Sequence, residues 1–100
     1  MNTVPLKLVT IVAEAVLEDS LLQEIKKLGA KGYTLTEARG EGSQGVQASQ
    51  REGKNVKIET LVSLEVADQI LDCLYKNYFP DYAMVAYVHD VEVAREEKYV

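Results

Sequence analysis

The chain has 100 residues, 47% of them hydrophobic and 27% charged, a balance that calls for one packed domain over residues 1–100 rather than a disordered chain. A formal charge of -5 argues against a phosphate-backbone footprint, because nucleic-acid affinity is carried by clustered Lys and Arg. The lone Cys73 excludes an internal disulfide and fits a reducing compartment, so a cytoplasmic location is expected.

Leu6 to Ala13 (LKLVTIVA) is rich in β-branched residues and apolar on both faces, which predicts a central strand. Lys7 and Glu14 interrupt the apolar run from Leu6 to Leu17, and no basic leader with a small-residue cleavage site accompanies it, so it reads as a strand and not a signal. Leu17, Leu21, Ile25 and Leu28 then recur at helical spacing, with Glu18 and Asp19 early, Lys26 and Lys27 late, and Gly29 as the stop.

Tyr33 to Arg39 alternates Tyr33, Leu35 and Glu37 against Thr34, Thr36 and Ala38, which predicts a second strand ended by Gly40. Asn55 to Val62 puts Val56, Ile58, Thr60 and Val62 on one face and Lys57 and Glu59 on the other, a third strand, after which Ser63 is a ready helix cap. Ala67, Ile70, Leu71, Leu74 and Tyr78 form the apolar stripe of a second helix that Pro80 brings to an end. Tyr82 to Val93 predicts a long last strand, with Val85, Tyr87, His89, Val91 and Val93 on one face and Met84, Ala86 and Val88 on the other. No run approaches the roughly 20 apolar residues that span a bilayer, so direct membrane insertion is not expected.

The order is β-α-β-β-α-β, an α+β, ferredoxin-like arrangement with a four-stranded antiparallel sheet. Two crossover helices cover one face of such a sheet. The first and last strands are apolar on both faces, so the open face predicts self-association.

Between the second and third strands lie the fifteen residues Gly40 to Lys54 (GEGSQGVQASQREGK), where a hairpin needs about two to five. Gly40, Gly42, Ser43 and Gly45 suit a nest of backbone N–H groups for an anion, because glycine permits the positive φ that nests require. Gln44, Gln47 and Gln50 follow as neutral hydrogen-bonding groups, with Arg51 and Lys54 near the return to the sheet. A solvated surface loop is the competing structural explanation.

GAKGYT at Gly29 to Thr34, the GxGS start of the loop, NVKIETLVS at Asn55 to Ser63 and YFPDYAMVAYVHDVEV at Tyr78 to Val93 together resemble the P-II-like signalling proteins. The similarity is greatest to the carbon-sensing branch associated with bicarbonate transport and carboxysomes. The resemblance implies a homotrimer whose clefts between subunits, roofed by the long loop, hold an adenine nucleotide such as AMP, ADP, ATP or cyclic AMP. It also implies bicarbonate as a further effector, no obligatory cofactor, and ligand-dependent control of a partner such as a membrane transporter. Carried onto this chain, Gly40, Gly42 and Ser43 would face the phosphate, and Arg95 and Lys98 would reach a polyphosphate from the cleft edge.

Gln44 and Gln47 occupy loop positions where arginines often stand in relatives. Each Arg–phosphate bond is worth about 1.5–3 kcal/mol, so two lost bonds weaken binding by about 10² to 10⁴. A second reading therefore stays open, a structural or partner-binding trimer that has lost its nucleotide. A third, a small nucleotide phosphohydrolase, finds no nucleophile–base pair, metal-ligand cluster or GK[ST] loop in the sequence.

Tyr87 is the candidate adenine platform among Tyr75, Tyr78, Tyr82 and Tyr87, although packing accounts for these rings equally well. His89, the only histidine, reads as a packed core imidazole, since no His or Cys stands at metal spacing. Cys73 reads as a small hydrophobe beside the helix stripe. Glu14 is placed to meet a ribose or a neighbouring subunit, with a solvated strand end as the alternative.

Overall fold

The computed structural model describes residues 2–40 and 54–94. Strand β1 (Val4–Glu14) passes through a 3-10 turn (Ala15–Leu17) into helix α1 (Glu18–Leu28). β2 (Thr34–Ala38), β3 (Asn55–Val62), helix α2 (Leu64–Asn77) and β4 (Val85–Val93) follow. The four strands form one antiparallel sheet in the order β2-β3-β1-β4, the βαββαβ arrangement of ferredoxin-like domains.

Local signals account for the helix ends. Gly29 sits at φ 124°, a backbone conformation that side chains disfavour, and its N–H closes onto the Ile25 and Lys26 carbonyls. Ser63 caps α2 by accepting a hydrogen bond from the Val66 N–H at 3.2 Å.

The bounds of three strands differ from the sequence expectation. β4 begins at Val85 rather than Tyr82, because the Tyr78 carbonyl accepts the N–H groups of Asp81 and Tyr82 at 3.0 and 2.9 Å and holds that stretch in a turn. β2 is one residue shorter at each end than Tyr33–Arg39. β1 runs further than Leu6–Ala13 at both ends, since β4 pairs with it as far as Val4↔Val93. Pro5 is accommodated there because β3 reaches only to Lys7, leaving β1 with a single neighbour at that position.

One sheet face is covered by both helices. Val9, Ile11 and Ala13 of β1 and Val56, Ile58 and Val62 of β3 pack under Leu21 and Ile25 of α1 and Ala67, Ile70 and Leu74 of α2. Thr60, buried on the same face, donates its hydroxyl to the Gly32 carbonyl at 2.7 Å and so ties the α1–β2 connection to the sheet. Tyr78 closes this core, its hydroxyl 2.5 Å from the Ser20 hydroxyl across the two helices.

The opposite face has no covering element among the described residues. Register places Leu6, Leu8, Thr10 and Val12 of β1 there, beside Lys57, Glu59 and Leu61 of β3 and Val85, Tyr87, His89 and Val91 of β4. Central β1 is shielded by its neighbours, with Thr10 only 1% exposed, whereas Val85 and Tyr87 on the edge remain 52% and 42% exposed. Among the described residues, no helix is long and apolar enough to cross a membrane.

Candidate functional site

Antiparallel pairing gathers both roots of the Gly40–Lys54 segment at one end of the sheet, while Tyr87, in register with Thr10, lies further along it and β4 ends at Val93, opposite Val4, at the far end. Ala38 of β2 lies opposite Asn55 of β3, Asn55 lies opposite Glu14 of β1, and Val12 of β1 lies opposite Val85 of β4. Both roots of the Gly40–Lys54 segment, the end of β1 and the start of β4 therefore share that end. The Lys54 carbonyl accepts the Ala15 N–H at 3.3 Å, which fixes the returning root against the 3-10 turn.

Of the predicted ligand-binding residues, Gly40 and Tyr87 are within the described chain, while Gly42, Ser43, Gln44, Gln47, Arg95 and Lys98 lie outside the described residues. Gly40 follows β2 at one edge of the sheet, and Tyr87 lies on β4 at the other edge, on the open face. Three interstrand steps of about 4.8 Å separate those edges by about 14 Å. A single protomer does not bring the two together, and any pocket that used both would need a second protomer.

The four tyrosines do not form one platform. Tyr78 is buried under the helices and Tyr82 packs against it, ring centres 6.1 Å apart. Tyr75 is 71% exposed on α2, on the other side of the sheet from Tyr87. Tyr87 alone presents its ring on the open face, with the His89 ring edge-on to it at 5.7 Å and 89°.

His89 is exposed in the protomer, not a core imidazole as its apolar neighbours suggested, because the face it occupies is the one the helices leave open. Cys73 is half-buried and its Sγ accepts from Asn77 Nδ2 at 3.5 Å. Glu14 is half-buried at the end of β1, in register with Asn55 at the loop root. Among the described residues, no three His, Cys, Asp or Glu side chains are placed to share a metal ion.

Lys57 was given no role on sequence grounds. It is a half-buried cation on the open face, opposite Thr36 of β2 and Val12 of β1, two residues from the loop root at Asn55. Period-two alternation already separated it from Ile58, but only the sheet order tells which face is open.

A model of the family described as nitrogen regulatory protein P-II matches residues 6–98. Among solved structures, a PII-like signaling protein from Thermus thermophilus is 60% identical over 100% of both chains, with a TM-score of 0.87. CPII from Thiomonas intermedia, solved with ADP and bicarbonate, is 26% identical over 99% of this chain and 98% of that one, with a TM-score of 0.87. The same protein solved with ADP, AMP and acetate superposes with a TM-score of 0.86 at the same identity. With a family model spanning nearly its whole length and a ferredoxin-like sheet of matching topology, the chain belongs to the nitrogen regulatory protein P-II family.

Proposed function

We propose that this protein is a non-enzymatic cytoplasmic sensor, a single domain over residues 1–100 that assembles as a trimer and binds an adenine nucleotide in clefts shared between subunits. The observation that carries this reading is that the loop root at Gly40 and Tyr87 sit on opposite edges of the sheet, Tyr87 on the face that has no covering element among the described residues. A cleft between neighbours is the arrangement that unites the two edges. CPII, a relative of the same fold, has been solved with ADP, AMP and bicarbonate, which supports an adenine nucleotide as the effector with bicarbonate beside it; AMP, ADP, ATP and cyclic AMP are the candidates.

In this reading, Gly40, Gly42 and Ser43 bind phosphate through backbone N–H groups and a hydroxyl, and Gln44 and Gln47 donate neutral hydrogen bonds from the loop. Tyr87 stacks on the base, and Arg95 and Lys98 neutralise phosphate charge from the adjoining subunit. Occupancy of the cleft changes the affinity of the 40–54 segment for a regulated partner, such as a membrane transporter, and this difference carries the signal.

Isothermal titration with AMP, ADP, ATP, cyclic AMP and bicarbonate, with light scattering for subunit number, tests the proposal. Saturable heat for at least one nucleotide, from an oligomer, is the expected outcome. A monomer, or silence across the panel, overturns it. Gln44 and Gln47 favour one competing reading, a trimer that binds its partner without nucleotide, for which the panel stays silent while the oligomer persists.

A further inference from the structure

Helix α2 carries an apolar row that no element covers among the described residues. Leu64, Leu71 and Tyr75 are spaced by seven and four residues, which sets them on one side of the helix. Leu64 is 57% exposed and Tyr75 71%, with Leu71 half-buried between them. The neighbouring helix packs on the other flank, where Val66 meets Gly29 at the end of α1. The uncovered side holds an open hollow of about 540 Å³ lined by Asp68, Gln69, Leu71, Asp72 and Tyr75.

Carboxylates border this row. Asp68 and Asp72 line the hollow, and Glu65 stands one turn before Asp68. Asp72 is paired with Lys76, the one cation of α2, at 3.0 Å, whereas Glu65 and Asp68 form no ion pair among the described residues. Carboxylates alone make an ordinary solvated face. Here they run beside a leucine and a tyrosine whose exposure contributes nothing to the fold, and a partner that covered both would remove apolar area from water.

We propose that this side of α2 docks a cationic amphipathic segment of another protein. Its apolar side chains lie on Leu64, Leu71 and Tyr75, and its arginines or lysines meet Glu65, Asp68 and Asp72. Charge selects that occupant. A second copy of the chain brings the same carboxylates and a net charge of -5, and an anionic lipid surface is repelled for the same reason. An arginine also stacks on the Tyr75 ring, as no carboxylate does. The row from Leu64 to Tyr75 runs about 16 Å along the axis at about 1.5 Å per residue, which matches about three turns of a helical partner. This surface lies on the helix side of the sheet, so the inference stands apart from the assembly and nucleotide readings, which rest on the open face and the 40–54 loop.

The test is fluorescence anisotropy of the full chain with a labelled amphipathic helical peptide of leucine and arginine, against the same peptide with glutamate in place of arginine, at two salt concentrations. The arginine peptide is expected to bind saturably and more weakly at high salt, and the glutamate peptide not at all. Asp68→Asn with Asp72→Asn is expected to weaken binding by about fivefold or more, and Tyr75→Ala by about tenfold. Asp19→Asn with Glu24→Gln, an equal change of net charge placed on α1, is expected to leave it unchanged, and circular dichroism follows the fold of each variant. An equal loss in the α1 variant overturns the proposal, because net charge then carries the binding. Full affinity in the α2 charge variant, or in a folded Tyr75→Ala, also overturns it by placing the peptide elsewhere. So does an arginine peptide that never saturates, or a glutamate peptide that binds as well.

Discussion

Gly29 and Ser63 show how single residues direct this fold. With φ at 124° and an added Cβ only 3.1 Å from Val66 Cγ2, Gly29 is held both by its backbone and by α2 passing beside it. Gly29→Ala is expected to cost about 1–3 kcal/mol, measured as a lower urea midpoint at unchanged slope. Both residues were legible in the sequence, because a helix stop and a helix cap are local devices. The contact between Gly29 and Val66 was not, since the two are far apart in the chain and meet only after α1 and α2 pack. His89 marks the same limit from the other side: its apolar neighbours suggested a core residue, and the sheet order put it on the open face.

At the level of elements, the period-two pattern of β3 predicted its covered side correctly, because every second residue of NVKIETLV is buried in the fold. The start of β4 was not predicted, since the apolar run YAMVAYV has no internal mark distinguishing strand from turn. The decision came from the Tyr78 carbonyl, which captures two following N–H groups. The uncovered side of the sheet is the element whose fate matters most for function. Leu8, half-buried in the protomer on that side, is a point at which to test it. Leu8→Lys is expected to leave the protomer folded while weakening association by about 10²-fold or more, because an assembled interface would bury an unpaired ammonium. Light scattering together with circular dichroism reads both parts, and an unchanged assembly mass would place the interface elsewhere.

For the whole molecule, the proposed site ties ligand binding to assembly, because Gly40 and Tyr87 lie on opposite edges of the sheet. Gln44→Arg with Gln47→Arg is expected to raise affinity for ADP by about 10²-fold or more and to steepen its salt dependence, because two charge-assisted hydrogen bonds to phosphate are added. Titration at two salt concentrations checks it. Unchanged affinity would move the phosphate away from the front of the loop. Paired with Leu8→Lys, the comparison separates loss of the site from loss of the assembly, since a cleft shared by subunits fails in the second case even with its loop intact.

Element order, helix ends, strand faces and family were determined by the sequence alone, because each depends on local periodicity, on capping residues or on motifs read in order. Tertiary structure decided which sheet face is open, that Tyr78 is core while Tyr87 is presented on the surface, and that the loop root at Gly40 and Tyr87 lie on opposite edges. Those outcomes follow from antiparallel register and from the side on which both helices cross. Both are global properties that pair residues distant in the chain, and no local pattern encodes them.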